Sequence, residues 1–347
     1  MLILRYLLFP LALLYGAIMA LRNFLYSKGI LHSHSFPLPI ISVGNLTVGG
    51  TGKTPMVEYL LHHLASNKVV ATLSRGYGRA TKGYIALQEN STAARVGDEP
   101  LQMFLKFRPQ VQSVVCENRV EGVQRLKQDF PNTEVILLDD AYQHRALKAG
   151  FSILLCDYNR PFYEDFMMPT GNLREFRSGA NRAHAIVVTK CPEELSSTKR
   201  NTIQAAIARY APACPVFFTQ VQYQAVRTIQ ASKSFDAYQQ VVLLTGIARP
   251  EPMKTYLSQQ KQVVKLFAFP DHHNFTESDL EKVQSEWTAA RADTCLVTTE
   301  KDYMRLKTHL LDTTWAHIPV FVLPIGLKFV EQEEEFLHLI DSFVSSF

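Results

Sequence analysis

An α/β fold in two layered units is predicted by three features of the 347-residue sequence: apolar β-rich runs alternating with helical stretches, a glycine-rich turn between the first run and a helix, and a second such series beyond residue 235. Continuous apolar strands separated by helices mark parallel sheets covered on both faces. With 47% apolar residues, the chain can bury a large core and exceeds the usual size of one domain.

The N-terminus departs from this pattern. Residues 6–21, YLLFPLALLYGAIMAL, are sixteen uncharged residues between Arg5 and Arg22. A membrane-crossing helix needs about 20 apolar residues, and Pro10 disfavours a straight one. The expectation is an in-plane or partly inserted anchor over residues 1–35, with Arg22 and Lys28 near anionic headgroups. A buried core helix is the alternative. A cleavable signal fits less well, because no small-x-small site follows the run.

The first strand series comprises residues 39–43, 69–73, 134–139, 151–157 and 185–189. Residues 211–229 follow, and their later part alternates like a two-stranded ribbon. The second series is 241–246, 263–269, 294–299 and 320–326. The expected division is an anchor, a nucleotide-binding unit over 36–215, a β-ribbon linker over 216–235 and a smaller α/β/α unit over 236–347. The acidic run 331–335 reads as the solvated start of a terminal helix.

Charge and cysteine content narrow the function. A formal net charge of +4, spread along the chain, gives no footprint for nucleic acid. Five cysteines without a CxxC pair argue against a disulfide framework or a zinc site and fit a reducing cytosol.

The stretch GNLTVGGTGKTP, residues 44–55, carries the chemistry. It follows a strand and precedes a helix with Met56, Val57, Leu60, Leu61 and Leu64 on one face. Residues Thr47, Val48, Gly49, Gly50, Thr51, Gly52, Lys53 and Thr54 form the candidate nucleotide cradle. Glycines there let backbone N–H groups curl around phosphate oxygens at a helix N-terminus. Lys53 would reach the β/γ-phosphates and the Thr54 hydroxyl would ligate Mg²⁺. Thr47 occupies the place of the first motif glycine. A Walker-B-like strand supplies the acidic partner, since VILLDD ends in Asp139 and Asp140, the candidate metal carboxylates. Together these predict a P-loop NTPase-like sandwich binding ATP and Mg²⁺.

Further polar clusters punctuate the chain: SRGYGR (74–79), GDEP (97–100), DDAYQHR (139–145), PTGNLRE (169–175), TGIARP (245–250), PDHHNF (270–275) and TTEKD (298–302). In this order, after the hydrophobic N-terminus and the phosphate loop, they resemble the lipid A 4'-kinase (tetraacyldisaccharide 4'-kinase) family over nearly the whole chain. Ala141 and Phe176 depart from the family pattern, which often has Gly and Pro there, but neither removes a chemical group.

The resemblance implies ATP-dependent phosphorylation of the 4'-hydroxyl of a tetraacylated disaccharide 1-phosphate. It implies a peripheral or monotopic enzyme on the cytoplasmic face of a Gram-negative inner membrane, with a lipid substrate and no obligate protein partner. It makes Asp98 the general base, with His272 or His273 as its partner, and Lys53 part of the catalytic set. Glu99, Arg119, Gln143, His144, Asn172 and Arg174 become candidates for the acceptor pocket. The Asp98–histidine pair joins motifs far apart in sequence, so it requires the two units to approach. A membrane-associated switch ATPase acting on a partner protein is the alternative. Such proteins commonly carry a lysine before the GG pair, where this chain has Val48. A nucleotide-binding scaffold without turnover would leave Asp98 and the DHH motif without a purpose.

Overall fold

The computed structural model describes residues 2–290, 293–311 and 313–347. Helix α1 (Leu2–Ser27) runs unbroken through Pro10 and, at about 1.5 Å per residue, is about 39 Å long. An apolar helix tolerates an internal proline because the lost hydrogen bond can be compensated locally. Its stretch Leu8–Ser27 is long and apolar enough to cross a membrane. Ala12 and Gly16 face the protein, whereas Phe9, Leu11, Leu13, Leu14, Ile18, Leu21 and Phe24 stay exposed. That exposed face excludes the core-helix alternative.

The first unit holds β1 (Ile40–Asn45), α2 (Lys53–Leu64), β2 (Val70–Ser74), β3 (Ile85–Ala86), α3 (Ala93–Val96), α4 (Asp98–Phe107) and β4 (Val111–Val115). It continues with α5 (Arg119–Asp129), β5 (Val135–Asp139), β6 (Phe151–Asp157), β7 (Ala185–Thr189), α6 (Ser197–Ala208) and β8 (Val216–Tyr223). The second holds β9 (Arg227–Gln230), β10 (Gln240–Thr245), α7 (Glu251–Ser258), β11 (Gln262–Ala268), α8 (Glu277–Ala289), β12 (Thr294–Thr299), α9 (Glu300–Leu306) and β13 (Val320–Leu323). The chain then returns to the first unit through β14 (Ile325–Phe329) and α10 (Glu333–Ser345).

A nine-stranded sheet runs β14-β8-β7-β6-β1-β5-β2-β4-β3, parallel except at its two edge pairs. The smaller sheet runs β11-β10-β12-β13-β9, with β9 antiparallel at the edge. Each strand read from the sequence is present, most within one or two residues because they are buried apolar runs; the run read as 320–326 is divided between β13 and β14. Strand β4 escaped that reading because its sequence VQSVV carries polar residues inside. Its Ser113 is buried and accepts a hydrogen bond of 3.0 Å from the Thr72 hydroxyl on β2.

Residues 325–345 lie with the first sheet and not with the second, where the sequence placed everything after 236. Strand β14 pairs with β8 from Ile325–Tyr223 to Phe329–Thr219, and this pair forms a ribbon. The alternation at 216–223 signals that ribbon, but its partner comes from about a hundred residues downstream and not from the adjoining segment. Phe336, Ile340 and Val344 of α10 then complete the core under α2 with Met56, Leu60 and Phe217. Rings of Tyr59, Phe217 and Phe329 surround Phe336, with centroids 6.4, 5.2 and 4.9 Å away.

The two units meet where α9 packs on α4. Met304 enters a cluster with Leu87, Val96, Leu101 and Val115 of the first unit. Lys106 bridges buried Glu58 at 2.6 Å and Glu300 at 3.3 Å, so its charge ties α2, α4 and α9 together.

Phe336→Ala should lower unfolding stability by about 3–5 kcal/mol, the cost of emptying a phenyl site in a closed core. Chemical denaturation of the two proteins measures it. A loss below about 1 kcal/mol would mean that α10 is not part of the first core.

Candidate active site

The phosphate loop spans β1 and α2, and its shape is fixed by braces outside it. Gly49 (φ +102°) and Gly52 (φ +87°) occupy left-handed backbone that a side chain resists. A Cβ at Gly49 would also stand 3.1 Å from Nη2 of Arg160. Thr47 makes an isolated antiparallel bridge with Leu173, and it is absent from the positive-φ positions. Its backbone suits any residue, which explains why the missing motif glycine does no damage.

The neighbouring N–H of Val48 donates to the Asn172 carbonyl at 2.8 Å. Asn45 Nδ2 donates to the buried Thr51 hydroxyl at 2.9 Å, and the Thr189 hydroxyl donates to the Thr51 carbonyl at 2.8 Å. Lys190 donates to the Gly50 carbonyl and, at 2.8 Å, to buried Asp157. With these carbonyls held from outside, the loop's N–H groups are left for an anion.

Asp139 and Asp140 end β5 beside this loop, in different states. Asp140 (φ +48°) sits between Lys53 at 3.7 Å and Arg174 at 2.9 Å. Burial opposes its charge, but these two cations outweigh burial and hold its pKa below the usual range. Asp139 is buried, and its pKa is driven up by burial and by repulsion from Glu99 and Asp140. Its Oδ2 accepts a long bond of 3.4 Å from Ser74, and its Oδ1 has no partner among the described residues. A buried carboxylate oxygen lacking both a donor and sufficient counter-charge is what a cation would satisfy. Asp139, Asp140 and the Thr54 hydroxyl therefore fit Mg²⁺, which binds through one or two carboxylates and leaves the remaining positions to phosphates and water.

The second unit contributes across the interface. Asp98 opens α4 after Gly97 (φ +92°) and is 6% exposed. Its Oδ1 accepts from the Glu99 N–H at 2.9 Å, and its Oδ2 lies 3.1 Å from His272 Nδ1 and 3.5 Å from Arg305. His272 Nε2 meets the Lys301 ammonium at 3.0 Å. An ammonium only donates, so Nε2 accepts and Nδ1 carries the proton given to Asp98. Burial raises the Asp98 pKa, but the bond from His272 and the charges of Lys301 and Arg305 bring it below the ordinary value. Lys301 also pairs with Glu99 at 3.3 Å and Asp271 at 3.1 Å.

The geometry separates the two histidines that the sequence left equivalent. His273 turns away from Asp98, bonds Asp279 at 2.9 Å and stacks on Phe269 with centroids 4.5 Å apart. It belongs to the packing of the second unit, at the start of α8.

The acceptor candidates also divide. Glu99 faces the cleft between Asp139 and Lys301. Arg174 lies on Asp140. Arg119, 2% exposed, reaches inward to the carbonyls of Cys116 at 2.9 Å and Asp139 at 3.3 Å, so it holds the end of β5. Gln143 Nε2 donates to the Asn45 carbonyl and Glu175, and Asn172 closes a turn with Asp165. His144 Nε2 accepts from the Arg119 N–H, and burial with Arg119, Arg22 and Arg75 nearby lowers its pKa to about 4.

The braces Asp157, Lys190 and Glu175, and the cations Lys301 and Arg305, were not singled out from sequence. TTEKD was visible as a cluster, but nothing local showed that its Lys301 would meet His272.

A doubly wound parallel sheet with a phosphate loop, an acidic strand end and a carboxylate–imidazole pair defines a P-loop NTPase-like protein. A profile of the family described as tetraacyldisaccharide-1-P 4'-kinase (LpxK) matches residues 4–345, and the chain belongs to this family. It is similar to the tetraacyldisaccharide 4'-kinases of Flavobacterium johnsoniae (45% identity, 96% of this chain and 95% of that protein) and Cytophaga hutchinsonii (40%, 92% of each). The crystal structure of Aquifex aeolicus LpxK in complex with ATP superposes with a TM-score of 0.76 at 31% identity, over 98% of this chain and 99% of that one.

The depressed pKa of Asp98 has a consequence for stability. Its ionised form stabilises the fold at pH values above the ordinary carboxylate value of about 4, and the contribution vanishes as pH falls through the lower folded value. Asp98→Asn should therefore cost about 1.5–3 kcal/mol at neutral pH, with the gap to the parent closing in acid. Denaturant midpoints of both proteins across that range measure it, and a gap independent of pH would count against a charged Asp98.

Proposed function

We infer that this chain transfers the γ-phosphoryl group of ATP to the 4'-hydroxyl of a tetraacyldisaccharide 1-phosphate, yielding lipid IVA for lipid A biosynthesis. The observation that carries the reading is the Asp98–His272 pair, which joins the unit carrying the phosphate loop to the second unit. The names of relatives across nearly the whole chain, and ATP in the Aquifex aeolicus structure, support the substrates.

ATP phosphates fit the N–H groups of residues 49–54, with Lys53 released from Asp140 to meet the γ-phosphate. Mg²⁺ held by Thr54, Asp139 and Asp140 would neutralise charge on the phosphate oxygens. The acceptor hydroxyl oxygen attacks the γ-phosphorus as the bond to the bridging oxygen breaks, and ADP departs with that electron pair. The hydroxyl proton passes to the Asp98 carboxylate. A base of low pKa suits this reaction, because phosphoryl transfer through a loose transition state needs little proton removal before the bond to phosphorus breaks. His272 orients Asp98 through Nδ1–H and is itself fixed by Lys301.

The exposed apolar face of α1 supports a site beside a lipid acceptor, and the use of ATP supports the cytoplasmic side of the inner membrane, for a peripheral or monotopic enzyme. No protein partner is needed for the chemistry.

The test is label transfer from γ-labelled ATP, with Mg²⁺ and detergent, into a tetraacyldisaccharide 1-phosphate. Label should enter the lipid and disappear with Lys53→Ala. Release as free phosphate alone, beside a competent lipid control, would defeat the kinase reading. Asp98→Ala should lower kcat by about 10²–10⁴ while ATP affinity stays within about twofold. His272→Ala should lower kcat, whereas His273→Ala should chiefly lower the melting temperature. Equal kcat losses at both histidines would contradict the assignment of His272.

A further inference from the structure

An arginine leans on the phosphate loop from the side opposite its two aspartates. Sheet order puts β1, which feeds the loop, between β5 and β6. Asp139 and Asp140 stand at the end of β5 on one flank, with Lys53 3.7 Å from Asp140. On the other flank Asn45, the last residue of β1, lies opposite Leu155, so β6 runs two residues further, to Asp157. Arg160 follows that end within a single turn, and its Nη2 is 3.1 Å from the point that a Cβ of Gly49 would occupy.

The turn is fixed from inside the protein. Asp157 is 2% exposed, its carbonyl accepts from the Arg160 N–H at 3.1 Å, and its Oδ1 accepts from the Asn159 N–H at 2.9 Å. Its Oδ2 holds Lys190, which in turn donates to the Gly50 carbonyl. One buried aspartate therefore sets both the turn that carries Arg160 and the loop residue beside the one that Arg160 meets. Pro161 follows and confines the Arg160 backbone to extended conformations.

The guanidinium is fixed in place but uncommitted. Lys190 is paired with Asp157 and Arg174 with Asp140. Arg160 makes no side-chain hydrogen bond or ion pair among the described residues, and its Nε is buried without a partner. Such a group is costly until an acceptor completes it. A Cβ at Gly50 would meet nothing within 4 Å, so open space adjoins the place where Arg160 touches the loop. Phosphate oxygens bound to the loop's N–H groups would lie about 3 Å from those nitrogens, within reach of Nη2. Gly49 thereby has a second reason to be glycine: besides its φ of +102°, a side chain there would push Arg160 off the loop.

We propose that Arg160 is a catalytic residue which bonds the γ-phosphoryl group of the bound nucleotide at the oxygens that gain charge during transfer. The proposal rests on the kinase reading above. As the acceptor oxygen bonds to the γ-phosphorus, the bond to the β,γ-bridging oxygen breaks and its electron pair leaves with ADP, while the hydroxyl proton goes to Asp98. Arg160 exchanges no proton, because a guanidinium stays charged in proteins. It offers N–H donors in a fixed fork to the bridging oxygen and a γ-oxygen. Charge gathers on the bridging oxygen as the bond breaks, so these bonds are stronger in the transition state than in bound ATP. An arginine supplied from within the chain makes a partner protein unnecessary for this role.

Arg160→Ala should lower kcat by about 10³, and Arg160→Lys, which keeps the charge but loses the fork, by about 10², with KM for ATP and for the acceptor within about threefold of the parent. Guanidinium added to Arg160→Ala should restore part of the rate. A second readout is free of turnover. ADP with aluminium fluoride, which imitates the group in transfer, should bind the parent more tightly than ADP alone. Arg160→Ala should lose that gain while keeping its ADP affinity and melting temperature.

A kcat within about threefold of the parent would overturn the proposal. Equal losses of affinity for ADP and for the fluoride complex would also overturn it and make Arg160 a brace of the loop. So would a raised KM for the acceptor at unchanged kcat, which would move the arginine to the acceptor. If the parent labelled no lipid, the kinase reading would fall, and the fluoride comparison would still decide the role of Arg160.

Discussion

A carboxylate withdrawn from water must be given back what water supplied, and Asp98 depends on this. One unit provides only the Glu99 N–H, and the other provides His272, Arg305 and the nearby Lys301. An isolated buried charge is far costlier than a paired one, so docking of α9 on α4 and formation of the charged base are a single event. The pairs Lys301–Glu99 and Lys106–Glu300 and the insertion of Met304 add to the same contact. Separation of the units would leave Asp98 without its imidazole, so on the proposed reading chemistry would be coupled to closure.

The first unit shows the same economy at the phosphate loop. Its carbonyls are bound from behind by Thr189 and Lys190 at the end of β7, while Asn172 and Leu173 hold Thr47 and Val48. The next residues of that segment, Arg174 and Glu175, reach Asp140, Gln143 and Arg182. Glu175 also accepts from Asn23 of α1 at 2.7 Å, and the Tyr15 hydroxyl donates to the Arg174 carbonyl at 2.9 Å. The apolar helix α1 and the phosphate loop are thus attached to one short segment. Gln143 and Asn172, expected from residue type at the acceptor site, also take part in this bracing, while Arg119 holds the end of β5.

Much of this was legible in the sequence because local chemistry specified it. Most strands of both sheets read as apolar runs, and GGTGKT after the first run marked a phosphate site even with Thr47 in place of glycine. Asp139 and Asp140 followed from the end of an apolar strand. What escaped depended on partners distant in sequence. The choice between His272 and His273 turns on a backbone φ of +60° at His272, which aims one ring at Asp98, and on Asp279 and Phe269, which capture the other. The return of β14 and α10 was hidden because an amphipathic terminal helix fits either unit. Pro10 disfavoured a straight helix, and α1 runs through it without interruption.

That return of the chain also bears on synthesis. The central sheet begins with β1 but is completed by β14, and its core is closed by α10, both translated after the entire second unit. While the second unit is being made, the first sheet still lacks its edge strand β14 and the face behind α2 is uncovered. The nucleotide-binding core therefore stays incomplete until β14 and α10 have been made, so the phosphate loop gains its full support only after the second unit has been translated.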